Sequence, residues 1–468
     1  MLVCLLSFFT DWYNELTIIL VLTLFIAIID KMGKSIVLLE IVAFFGCFTC
    51  LFMPIISYNF YNRDYYLARA FKVYMHVPEE TYFNYTLPAL SAFTLAMCWP
   101  LKVNYAGSIR DFFKAKYEQI SNQLRPHPYL GIQLVVVGIV MLYISAFLPS
   151  SVRFIGVLFY FSSFAGLLYI YLTPTVPYKK SLLVIIPLFT LGNALQTGMF
   201  TVVVYMSMTL ISFFFIGNKA SFLKKILLFI TGIFLMILLQ SVKSSFRKAT
   251  WRGGYEGSKA VLFQELVSRQ IGRSDLWTAK AFFPIYMRTN QGVNVSLVME
   301  RIPRRQPFDG GTYLFESIAS AFVPRFLWPD KPEAGGAFNM EHYTGVKIRG
   351  WATNIGPIGE AYGNFDVTGG IIFMFLLGGF IRLAYRKVFK ISLKTPIVVL
   401  WIPVLFYQTV FSMENDTLQV LNSLIKSAFF MYIIYKIYPV LFKPGRAADT
   451  NKVQVTDDYT SINYNPNI

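Results

Sequence analysis

The chain has 468 residues, of which 55% are hydrophobic and only 14% charged, whereas a soluble globular domain carries about 25% charged residues; an ordinary soluble enzyme is excluded. The 42 Lys and Arg against 25 Asp and Glu give a net charge of +17. In a soluble chain that excess would point to nucleic acid, but in a chain of apolar runs it is expected of loops facing anionic lipid, so no nucleic-acid partner is expected.

The first residues, MLVCLLSFF, are apolar but lack a basic start and an A-x-A cleavage site, so no cleavable leader is expected. DWYNE follows as an interfacial rim. Apolar runs near bilayer length then recur at roughly 14–30, 36–57, 86–101, 129–149, 153–173, 181–196, 199–216, 225–241, 369–385, 396–412 and 418–440, about eleven in all. They are continuous rather than alternating, which favours helices over a β-barrel. The fold class read from this is an all-α polytopic membrane protein. Cys4, Cys47, Cys50 and Cys98 are the only cysteines. Cys47 and Cys50 form a C-x-x-C, but it lies inside IVAFFGCFTCLFMPII and reads as small apolar packing residues rather than a redox or metal pair.

The run SLLVIIPLFTLGNALQTGMFTVVVYMSMTLISFFF is divided at Gly192–Gly198, where Asn193 and Gln196 interrupt it. With that division Lys31 and Lys34, the group from Lys102 to Arg125, Lys179 and Lys180, Lys219, Lys224 and Lys225, and the group from Arg386 to Lys394 all face one side. Short basic loops mark the cytoplasm. The N-terminus and residues 242–368 are therefore expected outside, and the C-terminus inside. The chain then divides into an N-terminal bundle (1–241), a large outer loop (242–368), C-terminal spans (369–442) and a flexible cytoplasmic tail (443–468).

The outer loop is rich in Phe, Tyr, Trp and Leu, which a disordered linker would lack. EGSKAVLFQELVSRQIGRSDLWTAKAFF has apolar residues near helical spacing and reads as an amphipathic helix. After Arg305 the chain breaks into Gly- and Pro-rich segments with short helical pieces.

The same loop concentrates the groups that could do chemistry. Lys243, Arg247, Lys248 and Arg252 open it, Arg269 and Arg273 follow one turn apart, and Arg325, Lys331, Lys347 and Arg349 come later. Arginine's planar fork suits phosphate oxygens, and several suit a diphosphate. Trp251, Trp277, Trp328 and Trp351 offer flat faces for the membrane interface or for sugar rings. Against this, Glu265 lies four residues before Arg269, the favourable order for a salt bridge along one helix. Arg325 or Lys331 could likewise pair with Asp330 and only shape the loop FVPRFLWPDKPEAGG. Glu360, in IGEAYGNF, is placed between glycine turns at Gly359 and Gly363, where a carboxylate could act as base or orient a hydroxyl; the plain alternative is an acid favoured by a helix N-terminus. His342 is the only histidine of the large loop, a candidate catalytic or substrate contact unless it is structural.

Several signatures are missing. There is no phosphate-binding G-x-x-x-x-G-K-[ST], no D-x-D in the outer loops and no G-x-S-x-G. Within the expected spans the ionisable residues that stand out are Glu40, Arg382 and Lys426, fewer than an ion-coupled transporter places at mid-membrane.

PRFLWPDKP, residues 324–332, followed by GPIGEAYGNF, residues 356–365, resembles the Wzy-type oligosaccharide repeat-unit polymerases, which act on O-antigen, capsule or exopolysaccharide. Members carry a similar Pro-Arg-x-x-Trp-Pro-x-Lys-Pro segment and a later Gly-Glu-x-Tyr-x-Asn in a large periplasmic loop. The resemblance implies a metal-independent glycosyltransferase of the bacterial inner membrane, without a cofactor, acting on undecaprenyl-diphosphate-linked repeat units at the periplasmic face. The chemistry it implies fits Glu360 or His342 as the catalytic general base, and Arg247, Arg252, Arg269, Arg273, Arg325, Lys331, Arg349, Trp328, Tyr362 and Asn364 as substrate contacts. Membrane lipid and a chain-length regulator are the implied partners. An O-antigen ligase, which shares the donor, and a lipid-linked oligosaccharide flippase are the rival expectations.

Overall fold

The structure is a computed structural model that describes residues 2–99, 108–149, 152–197, 201–216, 221–272, 278–323, 327–349 and 352–444. Its described residues form helices joined by turns, with no strand among them. Among the described residues eight helices are long and apolar enough to cross a membrane: Tyr13–Lys31, Leu38–Asn59, Leu130–Phe147, Arg153–Leu172, Lys179–Thr197, Gly356–Ser392, Pro396–Glu414 and Thr417–Ile437. The other three expected spans are occupied by helices Glu79–Cys98, Thr201–Phe215 and Phe222–Arg247, which fall outside those eight. Helix Lys179–Thr197 runs unbroken through Gly192, Asn193 and Gln196, so those residues do not divide the long apolar run; the end of the expected division, at Gly198, lies outside the described residues.

Helices in lipid gain little from hiding apolar surface from one another, so they associate where small residues let backbones approach. Leu130–Ile144 and Arg153–Leu172 pair in this way. A Cβ on Gly131 would lie 2.8 Å from the Gly166 carbonyl oxygen, and one on Gly138 would lie 2.6 Å from that of Phe159. The descending match of residue numbers makes that pair antiparallel. Gly356–Ser392 pairs with Glu79–Cys98 through Gly370, set against the Tyr85 ring, and Gly378, set against the Phe93 carbonyl. The Tyr85 hydroxyl also donates to the Ile358 carbonyl at 2.6 Å. Here the numbers ascend together, so the two helices run in the same direction and enter from the same end of the bundle.

That shared end carries both large loops. Tyr61 donates to the Ala279 carbonyl at 2.8 Å, Tyr286 donates to that of Val73 at 2.7 Å, and His76 Nδ1 lies 3.3 Å from Glu300. Residues 60–78 are thereby fastened to residues 279–301. A π-helical turn, Phe48–Phe52, interrupts helix Leu38–Asn59 and strengthens the seam. Gln291 N–H donates to the Thr49 carbonyl at 3.1 Å and Tyr82 donates to that of Cys50 at 2.7 Å. Such turns put carbonyls out of register with their own helix. Cys47 and Cys50 are buried and reduced, and the Cys47 thiol lies 3.6 Å from the Thr94 hydroxyl.

The opposite end gathers lysines at helix C-termini. Lys225 donates to the Ile29 carbonyl at 2.9 Å, Lys116 to Ser392 at 3.0 Å and Lys179 to Thr173 at 3.0 Å, while Lys31 pairs with Glu40 at 2.6 Å. Last-turn carbonyls lack intrahelical donors and carry the negative end of the helix dipole, so cations settle there. Among the described residues, these lysines share one end of the bundle and the fastened loops lie at the other.

Two expectations for the large loop are corrected. The amphipathic stretch is two helices, Lys259–Ile271 and Ala279–Thr289, rather than one. Glu360 does not sit between turns. Residues 356–365 are helical, and the helix Gly356–Ser392 is broken only at Asp366, with φ 60° and ψ −164°. Gly363 is needed for closeness instead, since a Cβ there would fall 2.6 Å from the Tyr343 ring. The break at Asp366 leaves residues 367–392 as the helix's continuous stretch, which at about 1.5 Å per residue is long enough to cross a hydrocarbon core of about 30 Å.

Candidate functional site

The site grows from a short helix, Gly336–Thr344. Its residues four apart point in two directions, as helical spacing dictates. Asn339 and Tyr343 are buried beneath it, whereas Phe338 is 46% exposed and the His342 side chain 30% exposed.

On the inner face, Asn339 Nδ2 donates to Glu360 Oε1 at 2.6 Å, and Thr417 N–H donates to Glu360 Oε2 at 2.8 Å. Asn364 Nδ2 donates to the Tyr343 hydroxyl at 2.7 Å and to the Glu360 carbonyl at 2.8 Å. Asp416, beside Thr417, accepts from Gly335 N–H at 2.6 Å, from Asn354 Nδ2 at 3.1 Å and from Gln419 N–H. It thus caps the last long helix while holding the start of the short one. Burial pushes the Asp416 carboxyl above the usual range, against the pull of those donors. Glu360 is only 2% exposed and both of its oxygens are occupied. The two carboxylates are ties between three elements.

On the outer face, His342 Nε2 lies 2.6 Å from Asp309 Oδ2. The Asp309 side chain is 15% exposed, and its placement is set by the backbone. Asp309 N–H donates to the Gly363 carbonyl at 3.1 Å and Gly310 N–H to that of Asn364 at 3.0 Å. Gly310 and Gly311 then turn the chain with φ 63° and 89°, a conformation glycine adopts without steric cost. The turn starts the helix that carries Tyr313. The Tyr313 ring stacks on Phe338 at 4.5 Å, and Phe338 stacks on His342 at 5.3 Å. Burial first, and the nearby carboxylates after it, push the Tyr313 phenol up to about 12. The result is a half-open histidine–carboxylate pair bordered by aromatic faces, a combination suited to moving a proton beside a sugar or another flat ligand.

A second cluster is cationic. Arg288 pairs with Glu414, and the Arg247 guanidinium sits 4.4 Å over the Trp251 ring. Lys243 stands within electrostatic reach of all three charges: burial, then Arg247 and Arg288, lower its ammonium to about 8, against the pull of Glu414. Lys243, Arg247 and Arg288 thus stand close together, an arrangement suited to meeting an anion. Glu414 is two residues from Asp416, so the cluster adjoins the carboxylate ties along the chain.

The remaining expected contacts are scattered. Arg252 ends the turn Lys248–Arg252, and its side chain lies outside the described residues, as do Arg273 and Arg325 altogether. Arg269 is exposed and lies 3.8 Å from Glu265 on its own helix. Lys331 donates to the Ser320 and Val323 carbonyls, each at 2.7 Å, and so closes helix Thr312–Phe322. Trp328 is half-buried and Arg349 exposed. Tyr362 is buried, its ring 5.0 Å from Tyr85 and 5.7 Å from Phe308. Asp309, Tyr313, Phe338, Asn339 and Arg288 escape a reading of the sequence. The turn signature Asp309-Gly310-Gly311 was the one local signal. Among the described residues no group of three or more His, Cys, Asp or Glu could hold a metal ion.

These features define a helical protein of the multi-span membrane type, with a polar site at the loop-bearing end. The chain belongs to the family described as Domain of unknown function (DUF8712), whose model matches residues 106–440 and so takes in every residue of the two clusters. No curated protein and no solved structure matches the chain.

Proposed function

We propose that the protein is a membrane glycosyltransferase that polymerises undecaprenyl-diphosphate-linked oligosaccharide repeat units, with residues 242–368 on the periplasmic face and about eleven spans carrying the chain through the inner membrane. The observation that carries this reading is the half-open Asp309–His342 pair, set among aromatic faces at the same end of the bundle as the Lys243–Arg247–Arg288 cluster. The resemblance of residues 324–332 and 356–365 to the polymerases agrees with it.

In this reading a hydroxyl of the incoming lipid-linked unit lies against His342 Nδ1. Its proton passes to that nitrogen as its oxygen bonds to the anomeric carbon of the growing chain. The bond from that carbon to the diphosphate breaks, and the electron pair leaves on the diphosphate oxygen. Lys243, Arg247 and Arg288 meet the developing negative charge, and a single such donor is worth roughly 10²–10³ in rate. Glu360 keeps helix Gly336–Thr344 in place through Asn339, and Tyr362 and Asn364 support the same helix from beneath.

The test is purified protein in lipid with synthetic diphosphate-linked repeat units. Ladders of lengthened lipid-linked product are expected. Transfer only to a different acceptor would make the protein a ligase. Movement of the units across the bilayer without lengthening would make it a flippase, and either result would overturn the polymerase reading.

A further inference from the structure

We infer that Asp309 is the positioning residue of His342, and that the interrupted helix at Asp366 exists to present it. The inference rests on the role proposed for His342 above. A carboxylate can only accept, so Asp309 Oδ2, 2.6 Å from Nε2, assigns the ring hydrogen to Nε2. In the neutral ring Nδ1 then carries the lone pair, and no hydrogen bond is made to it among the described residues.

The ring has little freedom to turn away. Phe338 stacks on it at 5.3 Å and 16°, and Tyr343 meets it edge-on at 4.6 Å and 90°. Asp309 is equally constrained. Its own N–H and that of Gly310 are held by the Gly363 and Asn364 carbonyls, the last full turn before the non-helical Asp366. A helix end leaves carbonyls without donors of its own, and this one is capped by the segment that carries the carboxylate. Gly311 locks the arrangement, because a Cβ there would meet the Phe365 ring at 2.5 Å. Asp309 touches no reacting atom. It fixes which nitrogen is free, and its charge compensates the imidazolium formed when the acceptor proton arrives.

The test has two arms. In proton NMR of the whole protein in lipid, wild type should show a strongly downfield imidazole N–H resonance, absent from both Asp309→Asn and His342→Gln. In the ladder assay Asp309→Asn should lower turnover by about 10²-fold with little change in half-saturating substrate, and Asp309→Glu should regain part of the loss. A downfield resonance that persists in Asp309→Asn would overturn the inference, as would wild-type turnover in that variant. Asp309→Glu keeps the carboxylate and provides the comparison if Asp309→Asn does not fold. The resonance is read without turnover, so a wild-type protein that builds no ladder defeats the polymerase reading while the spectra still decide the role of Asp309.

Discussion

Glu360 shows how much a single residue's setting decides. Both oxygens of its carboxylate accept hydrogen bonds from the protein, so the group ties two other elements to its own helix. Glu360→Gln would turn an amide N–H₂ toward one of its two donors. A lost and opposed buried hydrogen bond costs about 1–3 kcal/mol, and a lower unfolding midpoint of the detergent-solubilised protein is expected; an unchanged midpoint would show that the tie is not structural. Asp366 is the converse case. Its φ of 60° with ψ of −164° lies where glycine is nearly alone, and such residues cost about 1–3 kcal/mol. Asp366→Gly should therefore raise the unfolding midpoint. Lys243 gives the pH dependence. Its ammonium, lowered to about 8, is charged below that pH and neutral above it. Binding of inorganic pyrophosphate, measured by calorimetry, should weaken as pH rises through about 8. Lys243→Arg, which keeps its charge, should abolish that limb.

At the scale of elements, eight of the eleven expected spans coincide with helices long and apolar enough to cross a membrane, because their signal is additive: twenty apolar residues in a row need no partner to be read. The pairing of the histidine was not. Asp309 and His342 are separated by 33 positions, and what joins them is a helix interruption at an aspartate, a residue with no strong tendency to signal one. The glycines near Glu360 carried an ambiguous message, because glycine serves both turns and close contacts. Gly363 serves the second. The same use of glycine makes a prediction for the pair Glu79–Cys98 and Gly356–Ser392. A Cβ at Gly378 would lie 2.5 Å from the Phe93 carbonyl, a backbone atom that cannot swing aside. Gly378→Ala should lower stability by about 1–3 kcal/mol, the usual cost of overpacking. Gly379→Ala, which meets nothing within 4 Å, should leave the melting curve unchanged.

For the molecule as a whole, the two ends differ in chemistry. One holds the lysines that close helix termini, and the other holds the fastened loops. Charge counting in the sequence expects such a separation, since it needs only the order of short basic segments. The arrangement of the loops over one another was beyond it, because Tyr61, Tyr286 and His76 meet partners more than two hundred positions away. Arg269 and Lys114 are exposed at opposite ends, while Cys4, Cys47 and Cys50 are buried and Cys98, half-buried, is replaced by Ala in the test proteins. In intact cells a membrane-impermeant thiol reagent should label Arg269→Cys and spare Lys114→Cys. The reverse pattern would place the Asp309–His342 pair in the cytosol and defeat the periplasmic reading.

The two helices that run in the same direction, Glu79–Cys98 and Gly356–Ser392, also impose an order on biogenesis. The first emerges from the ribosome more than 250 residues ahead of the second, and its groove of aromatic and carbonyl groups is made before Gly370 and Gly378 arrive. The family match begins at residue 106, after that groove has been made. A chain begun at 106 would insert its later helices with no groove to receive them, and supplying residues 1–105 as a separate polypeptide in the same cell should restore its accumulation.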